Sequence, residues 1–145
     1  MEAMQIMTID KVGLFLKRGT SFLVVRQFGT SKFLMPGGRR EDRESDIETL
    51  SREIREELNV KLNKEIYFLG EFIDKAANDP GDFVKISLYD GQIDGEPIPS
   101  SEIEEIKWFD VYNDSKEILS DIVKNKILPS IQMKFLKKCP TNGCT

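Results

Sequence analysis

Residues 38–60 read GRREDRESDIETLSREIREELNV. Within this stretch Ile47, Leu50, Ile54 and Leu58 recur at spacings of three, four and four, so on a helix they form one narrow apolar stripe that can face a sheet. Glu53, Glu56 and Glu57 then share a neighbouring face close to the C-terminal end of that helix. The placement is electrostatically unfavourable. Each carboxylate meets the negative end of the helix dipole at a cost of about 0.3–1 kcal/mol, and Glu53 repels Glu57 by roughly 0.2–0.5 kcal/mol more. Something has to compensate. Asn59 follows the last turn and is second only to glycine in tolerating the left-handed conformation that ends many helices, so the helix is predicted to stop there.

The acidity is local. Between Glu44 and Glu57 six acids face Arg52 and Arg55, giving this segment a net charge of −4, equal to that of the whole 145-residue chain. An acidic chain of this kind does not coat nucleic acid through its phosphates. There is no histidine, which removes histidine bases, histidine zinc sites and Ser/His/Asp nucleophiles. The two cysteines, Cys139 and Cys144, sit together in the tail KCPTNGCT, where they cannot staple a core or supply a four-ligand zinc site. No apolar run approaches the ~20 residues of a membrane span, and MEAMQIMTID lacks the features of a secretion signal. The expectation is one soluble, cytoplasmic domain over residues 1–145, with residues 1–8 and 138–145 as flexible ends.

Outside the acidic segment, VGLFLKRGTSFLVVRQ reads as two β-rich runs around an Arg-Gly-Thr-Ser turn, and KFLMPGG as a short strand stopped by Pro36. EIYFLGEFID, DFVKISLYDG and EIKWFDV read as strands, separated by turn-formers such as NDPGD and DGEPIPSSE. From Ser115 to Lys138, Ile118, Ile122, Ile127, Ile131 and Phe135 recur at helical spacing, with Pro129 predicted to kink or divide the helix.

Carboxylates converging beside a glycine loop suit a hard divalent cation shared with substrate phosphates, which would turn mutual repulsion into coordination. A generic acidic helix face is more often merely solvated. Here the spacing weighs against that reading. Gly38, five residues, Glu44, seven residues and then REIREELNV resemble the box of the Nudix hydrolase superfamily, G-x5-E-x7-R-E-U-x-E-E-x-G-U, where U is bulky and aliphatic. Every fixed position matches except the last glycine, which is Asn59 here. The preceding KFLMPGG is similar to the family's strand and Pro-Gly-Gly approach, with Phe33 where Trp is frequent, and EIEEIKWFDV resembles its late acidic-to-Trp strand.

The resemblance implies an α/β fold, an α/β/α sandwich with a mixed β-sheet, and hydrolysis of a nucleoside diphosphate linked to another group. It implies Mg2+ or Mn2+ held by Glu53, Glu56 and Glu57 with the carbonyl of Gly37 or Gly38, Arg52 orienting these acids, and Glu44 serving a structural role at the helix start. Glu53 and Glu102 are the leading candidates for the general base, followed by Glu105. Arg26, together with Gly37 and Gly38, is the candidate contact to substrate phosphate. Phe28, Phe33, Phe83 and Trp108 are aromatic enough to stack on a base, although aromatics in strands usually belong to the core.

The substrate expected is a free small-molecule nucleotide, with a MutT-like (d)NTP pyrophosphohydrolase preferred over hydrolysis of ADP-ribose, a dinucleoside polyphosphate or a nucleotide sugar. No membrane or nucleic-acid partner is expected, and a homodimer is compatible with the chain. The rival class is a non-catalytic Nudix sensor module. The presence of Arg52, Glu53, Glu56 and Glu57 together favours the enzyme.

Overall fold

Side-chain alternation in two strands builds the layers. In the computed structural model, which describes residues 7–76 and 81–134, β1 (Thr8–Phe15) and β3 (Ser21–Gln27) divide their apolar residues between two cores. Val12, Leu14, Leu23 and Val25 face Leu50, Ile54 and Leu58 of α1 (Asp46–Leu58). Phe15, Phe22 and Val24 face the opposite way, against Ile122, Val123, Ile127 and Ile131 near the C-terminal end. All of these side chains are at most 2 % exposed, and each contributes roughly 1.5–3 kcal/mol by leaving water. The outcome is the expected α/β/α sandwich.

A four-stranded mixed sheet runs β4 (Gly37–Arg39), β1, β7 (Phe83–Asp90), β6 (Tyr67–Lys75), with β1 and β7 parallel and the other neighbours antiparallel. Beside it β2 (Lys17–Arg18), β3 and β9 (Ile103–Asp110) form an antiparallel sheet, and β5 (Lys61–Leu62) pairs with β8 (Ile93–Asp94). In the β3–β9 ladder Arg26 opposes Glu105 while Gln27 opposes Ile103. Glu104 is therefore the extra residue of a β-bulge.

Three local expectations need correction. The run VGLFLKR is two strands rather than one: it breaks at Leu16, and its parts enter different sheets. The Leu16 carbonyl accepts the Leu23 amide at 3.0 Å, so the crossing leaves that carbonyl paired. KFLMPGG is not a strand ended by proline. Phe33 and Leu34 make isolated bridges, and the strand proper, β4, begins after Pro36 on the two glycines. Proline lacks the amide a ladder needs, whereas Gly37, at φ 139°, lets the backbone press against β1: a Cβ there would lie 2.0 Å from the Val12 carbonyl oxygen.

The C-terminal segment is likewise not one helix from Ser115. A single 3-10 turn, Lys116–Ile118, is capped by Ser115 and ends at extended Leu119. A helix then starts at Asp121 and widens into a π-helical segment, Val123–Ile127, before α2 (Leu128–Lys134). The Leu128 amide reaches back to the Val123 carbonyl. This wider turn lies just before Pro129, which has no amide to continue a regular ladder. Thr8, expected in a flexible end, already pairs with Phe83. The other expected flexible residues apart from Met7, together with Asn78, Asp79, Pro80, Phe135, Cys139 and Cys144, lie outside the described residues. Among the described residues, no helix is long and apolar enough to cross a membrane.

Candidate active site

The acidic helix is anchored before it presents its acids. Ser45 caps α1 by accepting the Glu48 amide at 3.2 Å, while Glu48 Oε1 accepts the Ser45 amide at 3.0 Å, a complete capping box. At the other end Asn59 is left-handed (φ 55°, ψ 35°), and its amide returns to the Arg55 carbonyl, so the helix stops where the sequence predicts.

Arg52 ties the helix to the glycine strand. Its Nε and Nη2 donate to the two oxygens of Glu44 at 2.7 and 2.9 Å, Nη2 also reaches the Arg39 carbonyl at 2.9 Å, and Nη1 donates to Glu53 Oε1 at 2.7 Å. Glu44 also accepts from the Glu41 amide and the Thr49 hydroxyl. The Arg52 guanidinium, followed by the Glu41 amide, pulls the Glu44 carboxyl down to about 2. Glu44 thus serves as a charged anchor for Arg52 at neutral pH, and Arg52 sets the angle of Glu53.

Glu57 lies deepest, 3 % exposed, with Oε1 accepting the Gly37 amide at 3.0 Å. Burial pushes its carboxyl well above the ordinary range; the Gly37 amide and the charge of Lys11 oppose that shift. Glu53 is also raised, chiefly by burial, against the pull of Arg52. Gly38 makes room for it, since a Cβ at that position would stand 2.4 Å from Glu53 Cδ. Glu102 arrives from the start of β9. Its carbonyl accepts the Phe28 amide at 3.0 Å, and Ser101 Oγ donates to its Oε2 at 3.1 Å. One carboxylate oxygen from each of Glu53, Glu57 and Glu102 lies within 4.8 Å of the others.

These three acids, with Lys11, Gln27, Gly37, Gly38 and Arg39, line a cavity of about 360 Å³. The structure thus brings Glu53, Glu57, Glu102, Gly37 and Gly38 together. Glu56 stands outside this group. Its side chain is 47 % exposed and 3.7 Å from Arg52 Nη1. Arg26 does not line the cavity; it bonds Glu104, Glu105 and the Thr30 carbonyl, which also accounts for Glu105. Phe33 is buried in the core, Trp108 lies under the Arg18 guanidinium at 4.0 Å, and Phe28 is 62 % exposed. Neither these three nor Phe83 lines the cavity.

Sequence reasoning missed Lys11, Gln27 and Arg39. Lys11 and Arg39 are direct cross-strand partners of β1 and β4, a pairing invisible before the register is known. The only signal was the basic pair that follows Gly38. Together the walls hold two cations and three carboxylates. Such an oxygen-only donor set suits a hard divalent cation, and the cations suit phosphate oxygens.

The fold agrees with solved structures. A MutT protein from Methanosarcina mazei Go1 superposes with a TM-score of 0.69 at 20% identity, covering 94% of this chain and 100% of that one. A Nudix hydrolase from Nitrosomonas europaea gives 0.70 at 18% identity, covering 87% and 89%. A bifunctional NMN adenylyltransferase/ADP ribose pyrophosphatase from Francisella tularensis, complexed with AMP and a Mn ion, gives 0.63 at 18% identity; 90% of this chain spans 43% of that one. At these identities the likeness is one of fold. No curated protein sequence matches the chain. The NUDIX domain model, however, matches residues 7–118, from the start of β1 to the turn after β9 and including every residue that lines the carboxylate cavity, so the chain belongs to the Nudix hydrolase family and is a pyrophosphohydrolase.

Proposed function

We propose that this single Nudix domain is a cytoplasmic, divalent-metal-dependent hydrolase of free nucleoside triphosphates, cleaving a phosphoanhydride bond to give a nucleoside monophosphate and pyrophosphate. The observation that supports the metal is the donor set. Glu57 is a buried carboxylate whose oxygens approach those of Glu53 and Glu102, a costly arrangement until a cation joins it. Glu53, Glu57 and Glu102, with the backbone of Gly38, would hold the ion. Glu56, on the exposed flank of the same turn, would join by turning inward. Mg2+ or Mn2+ bound there supplies charge neutralisation for the diphosphate and acidifies water.

The chain's own residues do the rest. Arg52 keeps Glu53 in place, and Gly37 fixes Glu57. Lys11 and Arg39, which line the same cavity, receive phosphate oxygens. Glu53 or Glu102 takes the proton of a water whose oxygen bonds one phosphorus of the α–β bridge as the bridging P–O bond breaks, so that the nucleoside monophosphate and pyrophosphate separate. The paired cations favour a third phosphate over the neutral sugar of ADP-ribose or a nucleotide sugar. Product analysis across a panel of nucleotides in Mg2+ tests this. Pyrophosphate release from (d)NTPs is expected. Turnover confined to ADP-ribose, dinucleoside polyphosphates or nucleotide sugars would overturn the substrate reading, and binding without turnover of any of them would leave a sensor.

A further inference from the structure

The bulge in β9 changes which residues face the helix α1 core. Ile106 and Trp108 pack on that core, so simple alternation along the strand would send Glu104 there as well. Ile103 goes instead, 2 % exposed, because Glu104 is the extra residue opposite the Arg26–Gln27 step. The same shift brings Glu102 level with Phe28, whose amide donates to the Glu102 carbonyl at 3.0 Å.

Arg26 sits at the bulge. Its Nη1 donates to Glu104 Oε1 at 2.7 Å and to the Thr30 carbonyl at 2.9 Å, while Nε and Nη2 donate to Glu105 Oε1 at 3.2 and 3.1 Å. Consecutive residues of a regular strand point to opposite faces. Here one guanidinium, 17 % exposed, holds two of them, and only the bulged backbone permits it. We propose that Arg26 is a positioning residue: by clamping Glu104 and Glu105 it holds the β9 bulge that delivers Glu102 to Glu53 and Glu57. This rests on the role given to Glu102 above. It assigns Arg26 a task different from direct contact with substrate phosphate.

Release of the clamp leaves two adjacent carboxylates repelling each other beside the bulge, and the start of β9 is free to slip by one residue. A slip of one residue would turn Ile103 out of the core and withdraw Glu102 from the cavity.

The test combines amide hydrogen exchange with a kinetic cycle on the full chain. In Arg26→Ala, the Phe28 amide should exchange at least about tenfold faster while the Leu23 amide, further along β3, keeps its protection. Turnover of the best nucleotide should fall at least about tenfold with KM little changed, and in an Glu102→Gln background the same substitution should add less than about twofold. The Glu104→Ala/Glu105→Ala double variant, which removes both acceptors, should reproduce the loss. A phosphate-binding Arg26 predicts the reverse for that variant, because freeing the guanidinium would lower KM and preserve turnover. Unchanged Phe28 protection, or fully additive losses with Glu102→Gln, would overturn the proposal. If Glu102→Gln alone kept wild-type turnover, the role of Glu102 would fall, and Phe28 exchange alone would decide whether Arg26 holds the strand end. Should Arg26→Ala not fold, the Glu104/Glu105 variant carries the same readouts.

Discussion

A Cβ on Gly38 would lie 2.4 Å from Cδ of Glu53, whereas a Cβ on its neighbour Gly37 would lie 2.0 Å from the backbone oxygen of Val12. The two adjacent glycines therefore answer to different needs. The obstacle at Gly38 is the end of a side chain, which can move; the obstacle at Gly37 is strand backbone, which cannot. Gly38→Ala should keep its melting temperature within a few degrees while kcat/KM drops by about 10- to 100-fold, since a displacement near 1 Å at a reacting centre costs that much. Gly37→Ala should lose stability on the order of 1–3 kcal/mol, because φ 139° is also strained for alanine. Thermal melts paired with steady-state kinetics check both. A Gly38→Ala enzyme of full activity would mean that Glu53 has no fixed position to defend.

Glu44 gives a pH prediction with a definite sign. Its carboxyl is lowered from 4.5 to about 2, first by the Arg52 guanidinium and then by the Glu41 amide. A lowered folded-state value contributes stability that is complete above the unfolded value and is lost as pH falls through the folded one. Wild type should therefore shed this contribution between about pH 4.5 and pH 2, and Glu44→Gln should lack it throughout. Urea midpoints of both proteins, taken across that window in chelator, should converge as pH falls. Curves that stay parallel would show that the Glu44–Arg52 pair adds nothing to folding.

Asn59 tests the end of the helix. At φ 55° and ψ 35° it occupies the left-handed region that glycine enters freely and a β-branched residue does not. Asn59→Gly should be neutral or mildly stabilising, and Asn59→Val should cost about 1–3 kcal/mol. Equal melting of the two variants would contradict the stop that the structure places there.

Features carried by local pattern were legible before the fold was known. Leu50, Ile54 and Leu58 of the apolar stripe are buried as read, whereas Ile47, in the first turn, is only half-buried and stays out of that core; the left-handed Asn59 also appears as read, and both features depend on residues a few positions apart. Features that depend on register were not. Lys11 and Arg39 meet only because β1 and β4 pair, and Leu16 divides one apolar run between two sheets; Glu102 is singled out by the family resemblance, but the bulge at Glu104 beside it was not legible. The position of Glu56 illustrates the same limit. Adjacent Glu56 and Glu57 look equivalent in sequence, yet they point about 100° apart on a helix, and that rotation separates an exposed acid from a buried one.

Glu57 carries the last prediction. Without a cation the folded protein holds this carboxylate 3 % exposed, with the Gly37 amide and Lys11 as the favourable partners and Glu53 and Glu102 as repulsive ones. Glutamine keeps the shape, its amide oxygen can still accept from Gly37, and its NH2 gives the neighbouring carboxylates a donor. In chelator near pH 8, Glu57→Gln should thus melt above wild type, by about 2–4 °C for each kcal/mol relieved. Excess Mg2+ or Mn2+ should reverse the order. Wild type gains about 2.7 kcal/mol when the ion is present at 100 times its dissociation constant, and the variant has lost a ligand and gains less. Glu56→Gln, altered on the exposed flank, should show the same pattern with smaller shifts. Melting curves of the three proteins at matched ionic strength, each with chelator and with metal, give the comparison. Parallel shifts would mean that the ion only screens surface charge, and that the cluster of Glu53, Glu57 and Glu102 is not where it binds.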